Sequence, residues 1–274
     1  MLSSETLAAL LPLKTLNQSL FVFEELNSTN AFALELAKNP VSHGTVVLAD
    51  SQTAGRGRLQ RLWFSPPGTN IHGSLIFSFN SQFQTIGWIP LMAGMAIAQA
   101  IEDHADIGIT LKWPNDILID ERKVGGILCE SFKKSPKETC VVIGFGINVN
   151  LSESAFPKDL EQIATSLQIQ SQHPLNRYHL LKSIIMTLEQ GWEALITQGP
   201  QAYKLAYSTR CSTLGKQIQV QFPDGSELEG MAQSIGEQGQ LQMILSPSDV
   251  KEQSARILDV HAGDIRHIRK SDFQ

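Results

Sequence analysis

The alternation of apolar and polar positions predicts a sheet with helices packed on it. Alternating or continuous apolar residues predict strands over residues 21–26, 44–49, 70–79, 107–113, 117–119 and 139–148. A turn at residues 120–122 joins the fifth of these to a return strand that begins at Lys123. Helical spacing is found over residues 31–39, 88–102 and 175–195. Strands and helices are therefore mixed along most of the chain.

The pattern changes near Ser208. Short apolar strands recur at regular spacing from Lys216 onward, separated by turns with the sequences PDGS and GEQG. Such spacing is typical of a small β-barrel. We therefore expect two domains, over residues 1–208 and 209–274. A short helix or arm is expected over residues 1–20.

The composition is that of an ordinary globular protein. A net charge of −5 argues against a general binder of nucleic acids or of membrane surfaces, which would show a basic excess. Three cysteines without a C-x-x-C pair suggest neither zinc nor a disulfide framework and indicate a reducing, cytoplasmic setting. No apolar run approaches the roughly 20 residues that span a bilayer, and the N-terminus lacks the basic start of a secretory signal.

Residues 55–62, here called the arginine loop, concentrate positive charge within an acidic chain. Gly55 and Gly57 allow positive φ and close backbone approach, so that successive N–H groups could turn toward one anion. The loop also carries three fork-shaped donors suited to carboxylate or phosphate, namely Arg56, Arg58 and Arg61. We expect the loop to be mobile alone and to close over an anionic ligand. The alternative is a solvated basic loop without a ligand.

Further polar residues stand on or beside the predicted strands. Lys112 faces away from the apolar side of its strand, Lys123 precedes two glycines, and Asn115 and Asp116 follow a proline. Each could also be a solvated lysine or an ordinary turn residue. Together with the arginine loop they would form a cationic pocket that contains a carboxylate. Such a pocket suits a reaction between two anions, for instance a carboxylate attacking an α-phosphate, with Mg²⁺ sharing the neutralisation.

The start of the first helix is a second polar site. Residues 27–30 read Asn-Ser-Thr-Asn directly before an apolar helical stretch, so Ser28 or Thr29 is a natural N-cap. A helix start also offers free N–H groups and short hydroxyls to a ligand. The chain contains no phosphate loop of the G-x-x-x-x-G-K-[ST] kind, no G-x-S-x-G elbow and no H-E-x-x-H motif.

Three motifs in this order and spacing resemble the catalytic domain of biotin protein ligases: GRGRLQRLWFSPPG, KWPNDILIDERKVGGILCE and GFGINVN. The resemblance extends over nearly the whole chain, because the C-terminal strands are similar to the family's small SH3-like domain. It implies an α+β fold in which a mixed or largely antiparallel sheet, related to that of class II aminoacyl-tRNA synthetases, carries helices. It also implies a reaction in which biotin and ATP, with Mg²⁺, form biotinyl-5′-AMP. A lysine of the biotin carboxyl carrier protein of acetyl-CoA carboxylase would then accept the biotinyl group.

The resemblance assigns roles to individual residues. Arg58 and Lys123 would be catalytic, and Lys123 would lie beside the biotin carboxylate and the α-phosphate. The residues expected to bind biotin and the acyl-adenylate are Ser28, Thr29, Asn30, Gln52, Gly55, Arg56, Gly57, Arg58 and Lys123. Those expected around the nucleotide are Lys112, Asn115, Asp116 and Asn148. No protein metal site is expected; Mg²⁺ would arrive with ATP, and Asp116 is the candidate ligand.

Two departures from the family pattern carry expectations of their own. Gln60 stands where family loops commonly have glycine, which bears on how the arginine loop closes. About 20 residues precede the first predicted strand, too few for the helix-turn-helix module of bifunctional members, so we expect no binding to DNA. No membrane association is expected, and a homodimer stays open.

Three other functions remain as alternatives. The first is a lipoate or octanoate ligase or transferase of the same fold, against which the GRGR and KWPND motifs favour biotin. The second is a non-catalytic biotin-binding sensor, against which the presence of Arg58 and Lys123 speaks. The third is an RNA-binding protein with an Arg-Gly loop, which the net charge and the lack of interleaved aromatic residues in that loop disfavour.

Overall fold

A computed structural model describes residues 19–39, 43–83, 85–222, 224–245, 257–261 and 263–267. The helix or arm predicted for residues 1–20 lies outside this part, apart from its last two residues. Within the described ranges, no helix is both long and apolar enough to cross a membrane.

A seven-stranded mixed sheet forms the centre of the molecule. Its strands are β1 (Leu20–Leu26), β2 (Thr45–Gln52), β3 (Ile71–Asn80), β4 (Thr110–Lys112), β5 (Asp116–Ile119), β6 (Arg122–Lys133) and β7 (Glu138–Ile147). The order across the sheet is β1-β2-β3-β7-β6-β5-β4. Strands β1 and β2 are parallel, and every other neighbouring pair is antiparallel.

Each predicted strand of this sheet is present, but the fourth is shorter than predicted. The prediction covered residues 107–113, whereas β4 contains only Thr110–Lys112. The reason is the length of its partner, because β5 spans four residues and pairs only with these three. The predicted alternation still holds, with Ile109, Leu111 and Trp113 buried and Thr110 exposed.

Among the residues that the structure describes, five helices accompany the sheet: α1 (Thr29–Lys38), α2 (Trp88–Glu102), α3 (Leu167–Ser171), α4 (Arg177–Gln198) and α5 (Gln201–Arg210). Helices α2 and α4 cover one face, where the main apolar core lies. Helix α1 covers part of the opposite face, packing Ala33 and Ala37 on Val47 and Val142. Burial of these apolar faces, at about 25 cal/mol per Å², is what stabilises the layers.

The alternation along β7 leaves a section of the α1 face open. Val141, Ile143 and Phe145 belong to the core under α2 and α4. On the other side Val142 packs under α1, and Gly144 and Gly146 follow it without side chains. The sheet therefore has a bare floor directly beyond the start of α1.

The C-terminal residues form a separate antiparallel sheet of five strands. These are β8 (Gln217–Gln221), β9 (Glu227–Ile235), β10 (Leu241–Leu245), β11 (Ile257–Val260) and β12 (Asp264–His267), in the order β11-β10-β9-β8-β12. Two tryptophan side chains connect this sheet to the rest of the molecule. Trp88 Nε1 donates to Glu237 O and Trp113 Nε1 donates to Gly239 O, both at 3.0 Å. The expected domain boundary at residue 208 falls inside α5 and stays a prediction.

Candidate active site

A cavity of about 920 Å³ lies over the glycine floor of the sheet. Its walls come from the start of α1, the arginine loop, strands β4 to β6, the segment after β7, and β12 of the C-terminal sheet. Arg58 and Lys123, which the sequence places 65 positions apart, line this one cavity. So do the other predicted site residues apart from Gly55, namely Ser28, Thr29, Asn30, Gln52, Arg56, Gly57, Lys112, Asn115, Asp116 and Asn148.

The floor glycines are required by the side chains that lie on them. A Cβ at Gly144 would come 2.2 Å from Asn30 Oδ1, and one at Gly146 would come 2.4 Å from Trp63 Nε1. Neither distance is compatible with a packed side chain. The bare floor of β7 therefore holds Asn30 and the indole of Trp63 against the sheet.

One end of the cavity, here called the polar end, consists of Ser28, Thr29, Asn30 and Gln52. Ser28 is the N-cap of α1, and its Oγ accepts from Ala31 N, as predicted. Thr29 N donates to Gln52 Oε1 at 2.8 Å, so the helix start is tied to the end of β2. Ser28, Thr29 and Asn30 are all buried. Because buried polar groups need partners, this end has fixed hydrogen-bond directions.

The arginine loop differs from its prediction in where the backbone turns. Gly57 has φ −103° and donates its N–H to Arg61 O at 2.8 Å, and Gly55 has no positive φ either. The left-handed residues are Leu59 and Gln60, with φ of 52° and 59°. The expectation that the N–H of Gly57 turns toward an anion is therefore wrong, because the loop is a hairpin whose arms are extended and whose tip makes the turn.

Gly55 serves the second purpose expected of it, close approach. A Cβ there would lie 2.7 Å from Trp63 O and 2.9 Å from Ser65 Oγ. Its own carbonyl accepts from Trp63 N at 2.9 Å, which closes the base of the hairpin. Gly55 thus shapes the arginine loop without lining the cavity.

Two arginines of the loop reach the C-terminal sheet, and the third lies near β6 of the larger sheet. Arg58 donates through Nη1 to Asn115 Oδ1 at 3.2 Å and through Nη2 to Gly263 O at 3.0 Å. Arg61 forms an ion pair with Asp264. Arg56 Nη2 lies 4.0 Å from Glu130 Oε2. The loop is therefore held against both sheets.

Asp116 lies between the two lysines of the cavity. Lys123 Nζ is 2.5 Å from Asp116 Oδ1, and Lys112 is the register partner of Asp116 on the neighbouring strand. Burial lowers the pKa of Lys112, while the carboxylate of Asp116 opposes this shift. Burial likewise lowers the pKa of Arg58, opposed by Asp264 and Asp116. Because these cations are partly shielded from water, they attract an anionic ligand more strongly than fully exposed cations would.

The ring of Trp63 also belongs to this part of the cavity. Lys123 Nζ lies 5.5 Å from the centroid of the Trp63 ring, within the range of a cation–π contact. Trp63 lies in the middle of the first motif but received no role from sequence reasoning. Its position directly after the arginine loop was the only signal in the sequence. The packing of its ring on Gly146 could not be predicted from that position.

Asn148 is buried in the wall, and its amide already has protein partners. Its Nδ2 donates to Thr165 O at 3.0 Å, and its Oδ1 accepts from Asn70 Nδ2 at 3.4 Å. These contacts tie the residue after β7 to the segment that precedes α3 and to the residue before β3. The expected position of Asn148 near the nucleotide stays a prediction.

The described residues include no group of three or more His, Cys, Asp or Glu side chains that could hold a metal ion by itself. Asp116 and Asp264 are the cavity carboxylates closest to the cations named above. Mg²⁺ commonly binds through one or two carboxylates together with substrate phosphates and water. The residues present fit a metal that enters with a nucleotide.

Comparison with known proteins places these observations in a family. The model of the biotin/lipoate A/B protein ligase family matches residues 22–148. A biotin–[acetyl-CoA-carboxylase] ligase of Mycobacterium tuberculosis is 31% identical, over 92% of this chain and 90% of its own. The chain belongs to the biotin protein ligase family. The bifunctional ligase/repressor BirA of Bacillus subtilis is 36% identical, over 83% of this chain and 70% of its own.

The fold agrees with this membership in the biotin protein ligase family. The solved structure of a biotin protein ligase from Aquifex aeolicus in complex with biotin and ATP superposes with a TM-score of 0.77 at 26% identity. The match covers 92% of this chain and 100% of that one. The resemblance inferred from the three motifs is therefore confirmed, and so is the α+β fold with a separate C-terminal sheet.

Sequence reasoning missed the contribution of β12 to this biotin protein ligase site. Asp264, Ile265, Arg266 and His267 all line the cavity, and Asp264 pairs with the arginine loop. No local motif marks these residues, because their role depends on how the second sheet packs on the first. Glu130, which faces Asn30 and Arg56, was also missed although it ends the second motif.

Proposed function

We propose that this chain is an ATP-dependent ligase that activates biotin as biotinyl-5′-AMP and transfers the biotinyl group to a lysine of biotin carboxyl carrier protein. Membership of the family and the names of its relatives support this activity. The observation that carries the proposal is the single cavity that joins an uncharged, hydrogen-bonding end to a cationic one. Biotin has the same polarity, with a neutral ureido ring at one end and a carboxylate at the other.

In the first step the biotin carboxylate attacks the α-phosphorus of ATP. An O–P bond forms, the bond to the β-phosphate oxygen breaks, and pyrophosphate leaves. Two anions must approach each other, so the largest barrier is electrostatic. Lys123 and Arg58 would neutralise the charge that gathers around the α-phosphate, and Lys112 would add a third cation. Asp116, which bonds Lys123 at 2.5 Å, would keep its ammonium group in position.

In the second step the neutral amine of the carrier lysine attacks the acyl carbon of the mixed anhydride. A C–N bond forms, the C–O bond to AMP breaks, and the amine loses its proton. The anhydride would hydrolyse in water, so the arginine loop must cover it until the carrier arrives. The bonds from Arg58 to Asn115 and Gly263 support such a cover.

Mg²⁺ would accompany ATP, with Asp116 as the protein ligand. When bound, the metal would offset the negative charge of the phosphates. The remaining steps depend on this chain's own cations and on the orientation that the cavity imposes.

The same proposal covers the setting of the enzyme. We infer a cytoplasmic protein, supported by three free cysteines among the described residues. The net charge of −5 supports the absence of specific DNA binding. Whether two copies associate stays open.

A lipoate or octanoate ligase is the nearest alternative, since the matched family model covers biotin and lipoate ligases together. The two are separated by measuring pyrophosphate release from MgATP with biotin, lipoate or octanoate as the only acid. We expect release with biotin alone. Release with lipoate at an equal rate would contradict the assignment, and binding of biotin without release would indicate a sensor.

A further inference from the structure

Glu130 lies on β6 beneath the polar end of the cavity. Asn30 Nδ2 donates to Glu130 Oε2 at 2.5 Å and to Leu128 O at 3.4 Å. A carboxylate and a backbone carbonyl can only accept hydrogen bonds. The amide nitrogen of Asn30 must therefore face β6, and its oxygen must face the opposite way, toward β3.

The orientation of Asn30 fixes the hydroxyl next to it. Asn30 Oδ1 lies 3.1 Å from Ser74 Oγ, and Ser74 is fully buried. An amide oxygen can only accept, so the single hydrogen of Ser74 points to Asn30. The oxygen of Ser74 is then available as an acceptor on its other side, where Thr29 Oγ1 lies at 2.9 Å.

Thr29 is the last hydroxyl of the chain of bonds. Its Oγ1 lies near two acceptors, Ser74 Oγ at 2.9 Å and Gln52 Oε1 at 3.2 Å. Whichever of them receives its hydrogen, the donor of Thr29 is used within the protein. The lone pairs of Thr29 are what it can offer to the cavity. Ser28 has the opposite polarity, because its Oγ accepts from Ala31 N and that bond does not use its hydrogen.

We propose that Glu130 is a positioning residue that sets the hydrogen-bond polarity of the polar end and thereby selects a ligand with N–H groups there. A ureido ring presents N–H donors beside a carbonyl acceptor, which matches an acceptor at Thr29 and a donor at Ser28. This inference rests on the proposed function, in which the polar end receives the ureido ring of biotin. Glu130 acts through Asn30 and Ser74 and does not line the cavity.

The arginine loop adds a second reason for a carboxylate at this position. Arg56 Nη2 lies 4.0 Å from Glu130 Oε2, the same oxygen that accepts from Asn30. A glutamine would keep the size of the side chain but could present either an oxygen or an NH₂ group to Asn30. The amide of Asn30 could then reverse, so that Ser74 would donate to Thr29 and occupy one of the lone pairs that Thr29 otherwise offers to the cavity.

The test is biotin binding, measured by calorimetry on the full chain, for the variants E130Q, N30D and N30D/E130Q. We expect E130Q to raise the Kd for biotin about tenfold, the loss of roughly one hydrogen bond. The Kd for ATP should change less than twofold. The control E35Q removes an exposed carboxylate of α1 that pairs only with Lys38 in the described contacts, and should change neither value.

The double variant keeps the inference testable even where a single variant folds poorly. N30D alone would set two carboxylates against each other. In N30D/E130Q the glutamine can donate to the aspartate, whose other oxygen still accepts from Ser74, so the polarity returns. We expect the double variant to bind biotin at least tenfold more tightly than N30D.

Three results would overturn the inference. One is wild-type affinity for biotin in E130Q, and another is an equal loss of biotin and ATP affinity. The third is a double variant that binds biotin no better than N30D. Absence of biotin binding in the wild-type chain would instead contradict the proposed function, and this inference would fall with it.

Discussion

Lys123 Nζ lies 2.5 Å from Asp116 Oδ1 across the hairpin of β5 and β6, and the centroid of the Trp63 ring lies 5.5 Å from the same nitrogen. The ammonium group is therefore held by two neighbours before any ligand is considered. A fixed charge stabilises a transition state without a reorganisation cost.

The substitution K123A should lower the rate of biotinyl-AMP formation about 100- to 1,000-fold, because its charge is needed most as the carboxylate attacks. The Kd for biotin should change less than about threefold. Single-turnover formation of the adenylate and calorimetric biotin binding give the two values. K204A, which removes a lysine from an exposed ion pair with Glu237, is the control. Equal losses in rate and affinity would show that Lys123 is only a ground-state contact.

The substitution R58A should let the intermediate escape. Arg58 joins the arginine loop to Asn115 and to Gly263, so its loss frees the cover on two sides. We expect free biotinyl-AMP in the medium and labelling of lysines on unrelated proteins, with an unchanged circular dichroism spectrum. R61A removes the neighbouring arginine of the same loop and should leak less. Retention of the intermediate at the wild-type level would contradict the covering role of Arg58.

The substitution Q60G should stabilise the protein. Gln60 has φ 59°, a left-handed conformation that costs a non-glycine residue about 1 kcal/mol or more. Urea unfolding should show a free energy of unfolding higher by about 0.5–1 kcal/mol. Q162G, at an exposed loop position without positive φ, should lower it, since glycine there only adds freedom to the unfolded chain. A decrease in both variants would mean that the turn is not strained.

Stability should fall as the pH drops because of His72, which is 1% exposed. Burial lowers the pKa of His72 to about 4, below its ordinary value of 6.5. His72 therefore binds a proton near pH 6.5 in the unfolded chain but only near pH 4 in the folded chain. Between pH 7 and 5 this difference removes about 2 kcal/mol from the free energy of unfolding.

The check is urea unfolding of the wild-type protein and H72F at both pH values. The variant lacks the titrating ring, so its free energy of unfolding should lose about 2 kcal/mol less than the wild type over this interval. The same loss in both proteins would assign the pH dependence to other groups.

Much of the fold was readable from the sequence where the signal is local. Residues 88–102 were predicted as a helix and are α2 at the same bounds, because an apolar stretch of that length exceeds a typical strand. The N-cap, which was predicted at Ser28 or Thr29 and is found at Ser28, was equally readable from residue type. The prediction that the arginine loop, Lys112 and Lys123 form one cationic pocket is confirmed by the cavity that they line.

What could not be predicted depends on contacts between distant parts of the chain. Asp264 meets Arg61 across 203 positions, and only the packing of the C-terminal sheet brings them together. Glu130 meets Asn30 across 100 positions, through the register of β6 and β7 under α1. The turn of the arginine loop lies at Leu59 and Gln60 and not at the glycines, because the hydrogen bond between Gly55 and Trp63 fixes the arms of the hairpin.

Transfer of biotin to a carrier lysine is the reaction that defines the proposed ligase. The chain is incubated with biotin, MgATP and a biotin carboxyl carrier domain, and the carrier is probed on a streptavidin blot and by mass spectrometry. We predict one biotinyl group on a single lysine, dependent on ATP and formed far more slowly by K123A. A carrier that stays unmodified while the wild-type protein is folded and binds both biotin and ATP would contradict the proposed ligase activity.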